Sequence, residues 1–130
     1  MTTTINASTS SGLVNTADTS GIIKVQSNGV TTNALAWVRF AGSSGTIASS
    51  YNVTSVTRSA TGTYVVNFTN AQSDSNYSFN ITAADSGASG PNGINVVSTL
   101  STSALGFKSV NTSSGAATDP TYVNVSVFGN

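Results

Sequence analysis

In "TYVVNFTN" the side chains of Tyr64, Val66 and Phe68 alternate with those of Val65, Asn67 and Thr69, and in "NYSFNITAA" Tyr77, Phe79, Ile81 and Ala83 alternate with Ser78, Asn80 and Thr82. A period of two is that of a β-strand, whose successive side chains point to opposite faces, so each segment can lay aromatic and branched residues on a core. Near the end of the chain Val123, Val125 and Val127 share one face, while Tyr122, Asn124, Ser126 and Phe128 share the other. The segment "YNVTSVT" runs into "TYVVNFT" through residues 58 to 62, and "TYVVNFT" runs into "NYSFNIT" through a polar loop containing Asp74. Short connections predict that these three strands form one antiparallel meander. Upstream, Asn28-Gly29 in "IIKVQSNGVTTN" is a strong hairpin-turn signal, because a type I′ turn needs positive φ at both central residues. It predicts paired strands over 22–27 and 30–40.

These segments, with "INVVSTL" and "ALGFKSV" beyond the Gly/Ser/Pro-rich connection at 85 to 93, amount to seven or eight short strands at regular spacing. That pattern predicts an all-β fold, an antiparallel β-sandwich of jelly-roll or related type. The first ~20 residues are polar and without periodicity, so they are read as an extended N-terminal arm. The division is residues 1–34, arm and first hairpin, and residues 35–130, the sandwich domain.

Composition sharpens this picture. Ser, Thr, Asn and Gly make up about half of the 130 residues, and all four are poor in helix interiors. The charged residues are Lys24, Arg39, Arg58, Lys108, Asp18, Asp74, Asp85 and Asp119, which cancel to a formal net charge of zero. Four scattered cations cannot gather the phosphate contacts that nucleic-acid binding or attraction to anionic lipid requires. No stretch approaches the ~20 apolar residues that span a bilayer. The opening residues have neither a basic n-region nor an apolar h-region, although the Ser/Thr/Asn/Gly surface is of an extracellular kind. One resolution is a protein folded in the host cytoplasm that reaches the outside by another route, such as cell lysis on an assembled particle, and another is a chain that has lost its signal.

Candidate chemistry is sparse. With no His, Cys or Glu, the usual bases and metal ligands reduce to four Asp, so neither a catalytic residue, a cofactor nor a metal is expected. Asp74 and Asp85 are the carboxylates closest in sequence, the one pair that a glycosidase mechanism could use. Both lie among Ser, Asn and Gly, where Asp is a turn former. Seven N-x-S/T sequons follow from the Ser/Thr content rather than from a glycosylation pattern. Tyr51, Tyr64, Tyr77, Tyr122 and Trp37 offer aromatic faces of the kind sugars stack on. Tyr64 and Tyr77 are in phase with core residues, so the loops at 85 to 93 and 111 to 120 are the better contact candidates.

"LAWVRFAGSSGTIASSYNVTSVTRSATGTYVVNFTNAQSDSNYSFNITAADSG" resembles a module of tailed-bacteriophage virion proteins, especially tail fibres, in which an "AWVNFNG"-like strand precedes "Y/FNVSSVT", "GxYxVNFT" and "xNYxV" strands. The upstream "GLVNTADTSGIIKVQSNGVTTNAL" is similar to a "GLxxTADxSGxLxxQSNGxTAL" segment of the same proteins. The two cover the chain to about residue 86; Arg39 and Ala41 depart from the pattern. The resemblance implies a non-enzymatic structural protein on the virion surface, a homotrimer attached to capsid or tail as a decoration protein, head fibre or tail fibre. Its partners would be its own copies and other virion proteins. An alternative is a module that recognises host surface glycans through loops.

One oddity bears on assembly. "TNALAWVRFAG" holds the chain's single tryptophan beside a cation, with Leu35, Trp37 and Arg39 on one side of a strand and Ala36, Val38 and Phe40 on the other. Apolar bulk on both faces points to a subunit interface around Trp37, Val38, Arg39 and Phe40. Arg39 then either stacks on a neighbour's aromatic or pairs with its Asp, or extends past Trp37 into solvent.

Overall fold

The computed structural model describes residues 25–27, 30–85 and 92–129. The arm, the Asn28-Gly29 turn and most of the 85–93 connection lie outside them. Among the described residues there are strands and no helix: β1 (Gln26–Ser27), β2 (Val30–Thr31), β3 (Ala36–Phe40), β4 (Ile47–Tyr51), β5 (Val53–Ala60), β6 (Thr63–Phe68), β7 (Ser78–Ala84), β8 (Asn92–Leu100), β9 (Ala104–Asn111) and β10 (Tyr122–Phe128). Apart from the β1–β2 ribbon, they form two four-stranded antiparallel sheets, β4-β3-β10-β7 and β5-β6-β9-β8, packed face to face as a β-sandwich.

The alternation read from the sequence sets which side chains enter the core. Val66 and Tyr64 on β6 are buried between the half-exposed Thr63, Val65 and Asn67, and Val123, Val125 and Val127 on β10 alternate with half-exposed residues. Against them pack Ala36, Val38 and Phe40 from β3 and Leu105 and Phe107 from β9. Phe40 meets Tyr64 edge-on at 5.2 Å between centroids, and Phe68 meets Tyr77 at 5.8 Å. Both lie in the range where aromatic pairs add about 0.5–1.5 kcal/mol beyond the area they bury. Tyr64 and Tyr77 are core residues, as their phase indicates.

Two strand assignments are corrected. Residues 30–40 are not one strand. After Thr31 the chain turns away, held by Asn33 Oδ1 accepting from Val25 N at 2.7 Å and by Leu35 N donating to Val127 O at 2.8 Å, and β3 then joins β10 rather than β1. The expected meander also fails. β5 and β6 do pair, but β6's other neighbour is β9, and β7 pairs with β10 in the opposite sheet. The nine residues 69–77 between β6 and β7 exceed a hairpin loop of about 2–5 residues. They carry the chain from one sheet to the other, fastened by Gln72 N to Thr102 O at 2.8 Å and Thr69 N to Asn52 O at 3.2 Å.

Asn52 marks an earlier crossing between the sheets, from β4 to β5. It stands between β4 and β5 at φ 54°, a left-handed conformation that Asn tolerates better than most residues. Its amide closes the corner: Nδ2 donates to Leu35 O at 3.0 Å and to Asn70 O at 3.2 Å, and Oδ1 accepts from Asn70 N at 2.8 Å.

Candidate contact face

The outward side of the β4-β3-β10-β7 sheet is where the predicted interface residues fall, and the register orders its side chains into rows. One row runs Tyr51, Trp37, Ser126, Asn80 across the four strands; the next runs Ser49, Arg39, Asn124, Thr82. Directly opposed residues of an antiparallel pair lie about 4.5–5.5 Å apart, close enough for side chains to form a continuous surface. Trp37 and Phe128, each 38 % exposed, are its large apolar groups, and the remainder is chiefly neutral hydroxyl and amide.

Of the four residues expected at a subunit contact, two are elsewhere. Val38 and Phe40 are 1 % and 0 % exposed within the protomer, because strand alternation turns them into the inter-sheet core, so they have no surface to offer a partner. Trp37 and Arg39 point outward. Within the chain, Arg39 Cζ lies 4.4 Å from the ring centroid of Tyr122 on the adjacent strand. Cation–π contact of this kind is worth about 0.5–1 kcal/mol at exposed sites, and it turns the guanidinium along the sheet toward Tyr122, on the side of Arg39 away from the Trp37–Ser126 row.

The carboxylates are dispersed. Asp74 and Asp85 stand at opposite ends of the seven-residue β7, which at 3.3 Å per residue places them roughly 20 Å apart along the strand. That is well beyond the roughly 5–9.5 Å of a glycosidase pair. Each instead accepts a backbone N–H, Asp74 Oδ1 from Asn76 at 2.7 Å and Asp85 Oδ1 from Thr121 at 2.8 Å.

Sequence reading missed the most interconnected polar group. Arg58 on β5 and Asp119, in the segment before β10, form an ion pair. Asp119 Oδ1 also accepts from Gly62 N at 2.8 Å and lies 2.7 Å from the buried Tyr64 hydroxyl, whose oxygen is 2.9 Å from Gly42 O. The Arg58 hydrogen bonds hold the Asp119 carboxyl down at about 2, against an opposing push from burial. Burial, then the hydrogen bond to Asp119, drives the Tyr64 phenol well above its usual value. Through these bonds Asp119 ties the 111–120 loop to the β5–β6 hairpin. Neither of the loops singled out as contact candidates carries an aromatic. Comparison of the chain with protein-family models, curated proteins and solved structures found no match.

Proposed function

We propose that this chain is a non-enzymatic structural protein of a tailed-bacteriophage particle, displayed on the virion surface as a homotrimer on capsid or tail. The observation that carries the reading is the outward face of the β4-β3-β10-β7 sheet, where Trp37 and Phe128 stand exposed and Arg39 lies over Tyr122. Aromatic residues and Arg are the side chains most enriched where proteins meet. This face packs subunit against subunit, with Trp37 and Arg39 at its centre. Residues 1–34 attach the trimer to the particle and the domain from Leu35 onward projects. The likeness of its strand and turn motifs to tail-fibre modules supports the same assignment, and no cofactor enters it.

Light scattering at micromolar concentration tests the assembly. A homotrimer has three times the 13.0 kDa of one chain, and Trp37→Ala reduces that mass while the fold persists. A monomeric mass for the intact chain sinks the trimer. Immunogold electron microscopy of purified particles tests the location: label over the capsid means a head component, label on the tail a fibre component, and no label on any particle defeats the virion reading. A second reading, recognition of a host surface glycan, draws on the neutral groups of Ser126 and Asn80 beside Trp37. It requires sugar binding that disappears in Trp37→Ala.

A further inference from the structure

The two sheets have four edge strands, β4, β7, β5 and β8. An edge presents a row of backbone N–H and C=O groups that another strand can pair with, and proteins blunt such edges with charge, proline or short length. This chain has few charges to spend: β4, β7 and β8 carry none. What separates β8 from the others is length and uncovered apolar surface. It runs nine residues against five, seven and eight, and it alone among the edges bears large exposed hydrophobics, Val97 at 39 % and Leu100 at 45 %.

The register explains that exposure. Val97 pairs with Phe107 and Leu100 with Leu105, and both β9 partners are fully buried in the inter-sheet layer. Val97 and Leu100 therefore belong to the core-facing side of their sheet but lie past its covered margin. On the other side of the strand, Ser98 and Thr99 lie over Gly106, where an added Cβ would sit 2.8 and 3.0 Å from their side chains. A further strand beside β8 would both satisfy its outer backbone groups and continue the layer over Val97 and Leu100.

We infer that this strand is a second docking surface whose occupant is β8 of another copy, paired antiparallel about a two-fold axis. Self-pairing needs no second motif, since a two-fold contact sets the same patch against itself. The usual obstacle is like charges brought face to face, and β8 has none, on a chain whose formal net charge is zero. Register shifts between Ile94 and Val96 and between Val97 and Thr99 twist the strand, which confines the pairing to a short stretch. This contact is independent of the Trp37 face; where both operate, trimers are linked edge to edge.

The absence of cysteine makes the test clean. Single cysteines are placed in turn at positions 94 to 100 of the full chain, with Ser49→Cys on β4 and Ser126→Cys on the Trp37 face as references, and each variant is oxidised mildly after circular dichroism confirms the fold. About a two-fold axis only the central one or two positions bring a residue within the ~4.4–6.8 Å between Cα atoms that a disulfide spans. The expected result is a dimer yield peaked at one or two adjacent β8 positions, none at Ser49→Cys, and a mass halved by Thr99→Lys. A flat profile along β8, or no cross-link there in folded protein, overturns the inference. Cross-linking at Ser126→Cys, and loss of mass in Trp37→Ala, report on the trimer separately.

Discussion

Arg58 and Asp119 lie 61 positions apart in the chain and meet through two hydrogen bonds, Nε to Oδ1 at 3.0 Å and Nη2 to Oδ2 at 2.5 Å. The pair is partly buried, with side chains 28 % and 19 % exposed, and it is the one ion pair among the described residues. Its geometry is the two-pronged fit of guanidinium to carboxylate, which is the stronger form of such contacts.

The pair makes stability depend on acid. Asp119 titrates at about 2 in the folded chain against 3.8 for an ordinary carboxyl. A depressed folded value means the contribution is complete above the unfolded value and lost as pH falls through the folded one, so the window is roughly pH 5 to 2. At about 1.4 kcal/mol per unit the loss is on the order of 2 kcal/mol. Urea melts from pH 7 to 2 should show this decline in the natural chain and a flatter curve in Asp119→Asn. At pH 7 that variant should be less stable, by an amount comparable to the loss on acidification, because the carboxylate that accepts from Arg58 and the Gly62 N–H is replaced by a neutral amide. Parallel curves for the two proteins would remove Asp119 as the cause.

Trp37 and Phe40 separate the two roles of β3. Phe40→Ala should cost about 3–5 kcal/mol of folding stability, the usual range for emptying a fully buried aromatic site. Trp37→Ala, on the outward face, should cost about 1 kcal/mol or less in the protomer while changing assembly. Thermal melts at a concentration where both proteins are monomeric read the difference. Equal losses would mean that Trp37 supports the fold as much as Phe40 does.

What the sequence disclosed and what it hid follow from the range of each interaction. Alternation is local, and it identified the inward residues of β6 and β10 and the burial of Tyr64 and Tyr77. The same alternation cannot say which sheet a strand joins: Phe79 and Ile81 have the phase of core residues whether β7 lies beside β6 or, as it does, across the sandwich beside β10. Val38 and Phe40 were read as contact residues for a related reason, since a strand with apolar side chains on both faces does not reveal which face meets its own core. The Arg58–Asp119 pair leaves no pattern, because two charges 61 residues apart share no period. Asn52, in the N-x-S/T triplet Asn52-Val53-Thr54, shows its role as the corner between sheets only through its positive φ and its amide hydrogen bonds.

Gly62 and Gly115 have similar backbone angles, φ 66° and 71°, in different surroundings. A Cβ on Gly115 would meet nothing within 4 Å, whereas one on Gly62 would collide with Ser109 O and approach the backbone of Thr118 to 2.9 Å. Gly115→Ala should therefore cost only the left-handed backbone penalty, about 1–2 kcal/mol. Gly62→Ala adds a clash with backbone that cannot turn aside and threatens the Gly62 N–H bond to Asp119, so its cost should exceed that of Gly115→Ala by about 1–3 kcal/mol. Urea denaturation of the two variants decides it; matching losses would show that conformation alone, not close approach, selects glycine at position 62.

Gln72 is the reverse case, a polar side chain whose removal should help. It is 5 % exposed, and among the described residues neither Oε1 nor Nε2 has a hydrogen-bond partner, although its backbone N–H bonds to Thr102 O. A buried amide without partners carries a desolvation cost of about 1–3 kcal/mol. Gln72→Met keeps the length and flexibility of the side chain, removes the unpaired atoms and leaves the backbone bond in place. The variant should be as stable as the natural chain or more stable by up to about 1 kcal/mol. Chemical melts at neutral pH give the sign directly, and a loss of more than about 1 kcal/mol would mean that the Gln72 amide has an ordered partner, most simply a bound water, linking the 69–77 crossing to the loop at Thr102.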